Sequence, residues 1–379
     1  MCNFEIIINI QKSTHKLRLN IMKKILFATL MFCCFCGNVF AQSGQPALEN
    51  KDSWTMIVLP DPQTYIKYEI NQPIFSIMTR WIKKNKKKLN IGLVMCEGDL
   101  VEQNNIAQAD GISGDQTSLQ QWKSVSESLG ILDTIVPYIV CTGNHDYGTR
   151  SSENRYSQLN SFFPIQKMKE TQKILAGRMK NAQGEKTLEN AYYEFIAPDK
   201  TKFLILSLEF DPRDTIVQQA KEIIARKRYK DYKQIVMTHS YMKSMADHNE
   251  LIKKDAYKLK DVTYGKFLWQ KIISQSENIE MVFCGHIAGT NGFEESVGYR
   301  KDLNKGNKFV HQMMFNAQAD GGGWQGNGGD GWLRILEFLP DHQTVIVKTF
   351  SPFFAASPSM IDKAWRNAPY DNFKIKLAK

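Results

Sequence analysis

The sequence predicts an α/β domain. Three observations carry that expectation. Short apolar, β-favouring runs alternate with segments of helical periodicity from Thr55 onward. Those runs end in acidic, amide or imidazole side chains rather than in plain turns. A chain of 379 residues with 42% hydrophobic composition can also bury a sizeable core.

The first apolar run, Thr55 to Leu59, ends in Pro60-Asp61-Pro62-Gln63, which sets Asp61 at a strand tip. Helical spacing of Ile74, Ile77, Met78, Trp81 and Ile82 predicts a helix over 73–89. Lys83, Lys84 and Lys86 to Lys88 close it, where cations suit the helix dipole and read as a solvated face. The second strand, Ile91 to Cys96, leads into Glu97-Gly98-Asp99. A polar loop over 107–117 and a helix over 119–135, carrying Trp122, Val125, Leu129 and Leu132, follow. The third strand starts at Tyr138 and breaks at Gly143 into Asn144-His145-Asp146.

Residues 150–190 read as a polar insertion over one face. Strands over 191–196 and 202–210 flank Pro198-Asp199-Lys200 as a hairpin. A helix over 215–228 precedes a strand over 234–237 that ends in Thr238-His239-Ser240. Another helix, over 264–274, precedes a strand over 279–283 that ends in Cys284-Gly285-His286. Three late strands are expected over 309–316, 332–338 and 344–350. Between the first two, the glycine-rich run with Trp324 and Trp332 is either a linker or a loop on the substrate side. The domain is taken as 50–357, with a tail over 358–379.

In open α/β sheets, ligands bind beyond the carboxyl ends of strands, so Asp61, Asp99, Asn144, His239 and His286 should face one crevice. Two carboxylates, an amide and two imidazoles form an oxygen and nitrogen set without thiolate. It suits Mn, Fe, Zn or a harder ion, and a shared carboxylate would permit two ions.

With Asp61-x-Gln63, Gly98-Asp99, Gly143-Asn144-His145-Asp146, His239 and Gly285-His286 in this order, the chain resembles the calcineurin-like metallophosphoesterase superfamily. That resemblance implies a four-layer α-β-β-α sandwich of two mixed sheets, with a metal site at the C-terminal strand tips. It also implies roles. Asp61 and Gln63 would serve a first divalent ion, Asp99 would bridge, and Asn144, His239 and His286 would hold a second. His145 would stabilise the phosphoryl group or protonate the leaving oxygen, with Asp146 as its orienting partner. The implied activity is hydrolysis of phosphomonoesters or phosphodiesters by a metal-activated water. Nucleic acid enters only as one candidate substrate.

Two departures fall on the first ion: Gln63 stands where the family has histidine, and Ala288 where it has a second. Among Mn, Mg, Ca, Fe and Zn, that site should be weak or prefer a hard ion, with water or Asn291 filling the gap. The rival expectation is a non-catalytic binding protein for a phosphorylated ligand. Arg300 could contact phosphate or form a surface ion pair.

The N-terminal pattern is that of an exported protein. Met22-Lys23-Lys24, an apolar stretch from Ile25 to Gly37 and Ala41-Gln42 read as a signal peptide over 22–41, with 1–21 an over-extended start. The expected location is periplasmic or extracellular, without membrane insertion after cleavage. Removing 1–41 takes away five basic residues and one acid, which lowers the net charge from +10 to +6 and leaves a field that favours anionic partners. Cys96, Cys141 and Cys284 remain, and each reads as a small buried hydrophobe beside the site rather than as part of a disulfide framework.

Overall fold

The computed structural model describes residues 44–378. The expected leader over 22–41 and the segment 1–21 lie outside the described residues. The strands are β1 (Trp54–Leu59), β2 (Ile91–Cys96), β3 (Tyr138–Val140), β4 (Leu175–Lys180), β5 (Lys186–Ile196), β6 (Lys202–Leu208), β7 (Lys233–Thr238), β8 (Ile279–Cys284), β9 (Val297–Leu303), β10 (Phe309–Phe315), β11 (Leu333–Phe338), β12 (Thr344–Phe350), β13 (Trp365–Arg366) and β14 (Phe373–Lys376). They form two mixed sheets. One runs β13-β12-β11-β1-β2-β3 with β14 also on β12, and the other runs β4-β5-β6-β7-β8-β10-β9.

Helices α1 (Gln72–Asn85) and α2 (Ser118–Gly130) pack on the first sheet, and α3 (Asp214–Ile224) and α4 (Gly265–Leu268) on the second. Side-chain alternation explains the layering. On β6, Phe203 and Ile205 join the core between the sheets, while Leu204, Leu206 and Leu208 face Ile216, Val217 and Ala220 of α3. β1 is buried along its whole length because it is covered on both faces, so its sequence is a continuous apolar run. The fold is therefore the expected four-layer α/β sandwich.

Several elements differ from expectation. The insertion over 150–190 contains edge strand β4 and the start of β5. Leu-Ala-Gly-Arg-Met-Lys is a poor strand signal because an edge strand tolerates glycine and exposed cations. β9 was likewise hidden by its charges. The segment read as a tail supplies β13 and β14, which pair with β12. α2 ends at Gly130, five residues early, after starting on a capping box between Thr117 and Gln120. The helix expected over 264–274 is a single α turn followed by a π turn over Trp269–Ile273. Cys96, Cys141 and Cys284 are buried and free.

Parallel pairing carries the fold into the site. Leu59 pairs with Cys96, and Cys96 with Val140, so the tips after β1, β2 and β3 emerge side by side. Met237 pairs with Phe283 and Cys284 with Met314, which aligns the tips after β7, β8 and β10.

Candidate metal centre

The first sheet brings Asp61, Asp99 and Asn144 to the crevice, and the second brings His239 and His286. Asp99, His239 and His286 present ligand atoms within 4.8 Å of one another. Asp61 Oδ1 lies 3.8 Å from His239 Nδ1. Asp61, Asp99, Asn144 and His239 are almost fully buried, a placement that costs carboxylates heavily unless a charge compensates them. Two glycines permit the crowding. Gly98 sits at φ +101°, where a Cβ would come within 2.7 Å of the His239 ring, and a Cβ on Gly285 would collide with Asp61 Oδ1.

Backbone contacts fix which atoms face the crevice. His239 Nδ1 donates to the Glu97 carbonyl at 2.7 Å, so the neutral ring turns the Nε2 lone pair toward Asp99 Oδ2, 3.0 Å away. Two electron-pair donors at that separation need a proton or a cation between them, and Nε2 has no hydrogen-bond partner. Asn144 donates through Nδ2 to Ser151 Oγ at 3.0 Å, which orients the amide and leaves Oδ1 buried without a donor. Asp61 Oδ1 and Gln63 Oε1 are also buried acceptors without donors. Three donorless buried oxygens, Asp61 Oδ1, Gln63 Oε1 and Asn144 Oδ1, together with the close Asp99–His239 pair, fit a cation centre, because a buried acceptor left bare costs about 1–3 kcal/mol.

Electrostatics agree with the geometry. Burial works to lower the pKa of His239, but Asp99 and Asp61 lift it to about 10. Burial also works to raise Asp99, yet the imidazoles, led by His239, hold it low. Asp61 is pushed up to about 8 by burial, with His239 opposing and Asp99 adding to the rise. In the cation-free protein an imidazolium proton thus stands where a metal charge would.

The half of the crevice around Asp61 differs from expectation. Asp61 Oδ2 accepts the His286 backbone N–H at 3.0 Å and the Asn316 amide at 2.6 Å. Gln63 donates through Nε2 to Gln318 Oε1 at 2.5 Å, and Thr64 Oγ1 donates to the same atom at 3.2 Å. Asn291, expected to fill the gap left by Ala288, is instead exposed and bonded to Glu295. Asn316 and Gln318 occupy that side. Asn316 lies at a sixth strand tip, after β10, so the strand-tip signal extended one strand further than the residues first chosen.

His145 stands half-buried at the mouth. Its N–H donates to Asp99 Oδ1 at 2.9 Å, and Nδ1 donates to the Glu102 carbonyl at 2.7 Å, leaving Nε2 as the atom able to exchange a proton with a ligand. The pairing expected between His145 and Asp146 is not formed. Asp146 accepts from Gly143 N at 2.8 Å and Val101 N at 3.2 Å, so its buried carboxylate braces the turn that carries Asn144 and His145. Of the two roles open to Arg300, the structure shows the ion pair, with Asp302 at 2.7 Å on β9. The glycine-rich run is no linker. Tyr65 Oη accepts from Gly331 N, Asn71 donates to the Gly326 carbonyl, and half-exposed Trp324 lies on that loop.

The family model for Calcineurin-like phosphoesterase matches residues 58–289. Over 317 residues the chain is 26% identical to the uncharacterized protein YvnB of Bacillus subtilis (strain 168), a match covering 83% of this chain and 21% of that protein. The chain thus spans about a fifth of that relative's length. Among solved structures, it is similar to GAP50, the anchor in the inner membrane complex of Plasmodium, with TM-score 0.46 and 12% identity over 86% of this chain and 90% of that one. It is also similar to a dimetal phosphatase from Danio rerio, with TM-score 0.45 and 9% identity over 86% and 99% of the respective chains.

Proposed function

The chain belongs to the calcineurin-like phosphoesterase family, hydrolases of phosphoric esters that use divalent metals, and from that premise we propose an exported enzyme acting on a phosphomonoester or phosphodiester. The observation that carries the reading is the cluster of Asp99, His239 and His286, whose ligand atoms lie within 4.8 Å of one another, at strand tips that also carry the donorless buried oxygens of Asp61, Gln63 and Asn144. Asp99, Asn144, His239 and His286 would hold one divalent cation, and Asp61, Gln63 and the shared Asp99 another. Cations bound there supply a water acidic enough to attack near neutral pH and neutralise phosphate oxygens.

The protein's own groups do the rest. Asp99 accepts the His145 backbone N–H, which ties the bridging carboxylate to the proton-carrying residue. His145 Nε2 gives a proton to the leaving oxygen as the ester P–O bond breaks. Asp146 keeps the turn beneath them closed. The half around Asp61 offers only oxygen, which favours Mn, Mg or Ca over Zn or Fe. The leader pattern over 22–41 supports export to the periplasm or the exterior.

A second reading, a non-catalytic binder of a phosphorylated ligand, is favoured by one observation: no imidazole serves the Asp61 half. Initial rates with nitrophenyl phosphate and bis-nitrophenyl phosphate, with Mn, Mg, Ca or Zn added in turn, decide between the two. Metal-dependent turnover that vanishes in Asp99→Ala is expected. Cation binding without turnover of these or natural phosphoesters would favour the binder.

A further inference from the structure

Between β7 and α4 the chain passes through residues 253–262, which form neither helix nor strand. Exposure alternates along this segment. Asp255, Tyr257 and Leu259 are half-buried, whereas Lys254, Ala256, Lys258 and Lys260 face solvent. Two of the inward residues, Asp255 and Tyr257, meet His286. Asp255 Oδ2 lies 2.9 Å from His286 Nε2, and the Tyr257 ring sits 5.9 Å from the imidazole while standing perpendicular to Phe210 at 5.1 Å. At its far end, Arg155 donates to the Asp261 carbonyl at 3.1 Å and the Asp211 carbonyl at 2.8 Å, tying the segment to the tip beyond β6.

We propose that Asp255 is a positioning residue for the cation held by His286: it accepts the Nε2–H and so selects the tautomer that leaves the Nδ1 lone pair free for the ligand group formed with Asp99 and His239. A neutral imidazole carries one proton, and without an acceptor at Nε2 the ring can place it on Nδ1, which blocks coordination. The backbone raises the need for such a hold. His286 sits at φ +71°, a left-handed conformation costly for a residue with a Cβ, and its N–H is already committed to Asp61. A carboxylate behind a histidine is a recurrent way to fix both ring and tautomer. Here it comes from a loop that no metal-binding motif of the chain includes.

This inference rests on the reading of Asp99, His239 and His286 as cation ligands, and the test separates the two. Mn binding by the metal-stripped full chain is measured by chelator competition for wild type, Asp99→Ala, Asp255→Ala and Asp255→Asn, with thermal melting of each metal-free protein. Binding by wild type and its loss in Asp99→Ala are expected from the site itself. Asp255→Ala should then weaken Mn by about 10–100-fold with unchanged metal-free melting. Asp255→Asn, whose amide oxygen still accepts Nε2–H, should return most of the affinity. Nitrogen NMR of the His286 ring should report Nε2–H in wild type and a mixture in Asp255→Ala.

Wild-type affinity in Asp255→Ala would overturn the proposal. So would equal losses in both Asp255 variants, since the carboxylate charge would then be the ligand. Wild-type protein that takes up no cation would overturn the site reading and this inference with it.

Discussion

The two halves of the crevice solve one problem with different chemistry. Around His239 and His286, nitrogen donors face a carboxylate, and each imidazole is pinned from behind, by the Glu97 carbonyl in one case and by Asp255 in the other. Around Asp61, the donorless atoms are the oxygens Asp61 Oδ1 and Gln63 Oε1, and the pinning groups are the amides of Asn316 and Gln318. The contrast teaches that the donor atoms a crevice offers and the groups that hold them in place can be varied independently, and in the proposed site Asp99 would be the ligand shared by both halves.

The most damaging way to test that division is to remove what the halves share. Asp99→Ala should empty both and lower kcat/KM by about 10³-fold or more, since cation charge stabilisation contributes several kcal/mol. Initial rates beside metal analysis check it, and retained stoichiometry would erase the division altogether. Next come the halves separately. His239→Ala should cost one cation by more than the roughly 100-fold typical of an outer-shell change, while Gln63→Ala should weaken the other only about tenfold. Native mass spectrometry of the loaded variants distinguishes the two losses.

Protons sharpen the comparison further. In metal-free protein His239 holds its proton up to about pH 10 and Asp61 up to about pH 8. Cation affinity should therefore climb with pH, about tenfold per unit for each displaced proton, more steeply below 8 than between 8 and 10, and level off above. The sign for stability is the reverse. His239 is raised from 6.5, so its contribution is complete below 6.5 and lost as pH approaches 10. Asp61 is raised from 3.8, so burying its charge destabilises the fold increasingly from about pH 4 to 8. Melting of chelator-treated protein should fall across that range, and that of loaded protein should stay flat. The smallest expected effect is a change of taste. Gln63→His should raise the Zn-to-Mn ratio bound by the Asp61 half about tenfold, read by metal content after equilibration with both ions.

The strand-tip positions of Asp61, Asp99, Asn144, His239 and His286 were legible in the sequence because the signal is local: an apolar run, then a polar residue where the strand ends. Parallel register does the rest, because it brings the tips of neighbouring strands out side by side. Asp255 and Ser151 carry no such signal, because each reaches the crevice from an irregular loop whose path is decided by distant contacts such as Arg155. Asn316 did carry it, at the end of a strand that had been recognised. Asp146 was misassigned because adjacency in sequence suggested a partnership with His145, whereas a tight turn aims neighbouring side chains apart and points this carboxylate at its own backbone. Edge strands β4 and β9 were invisible for a different reason, since half their residues answer to water rather than to a core.

The pairing of β1 with β11 joins Trp54 to Phe338 and sets β1 in the middle of its sheet. A nascent chain leaving the ribosome therefore offers β1 and β2 to a partner that has not yet been made. The central strand therefore completes its pairing only after β11 has been made, so this sheet closes late in synthesis.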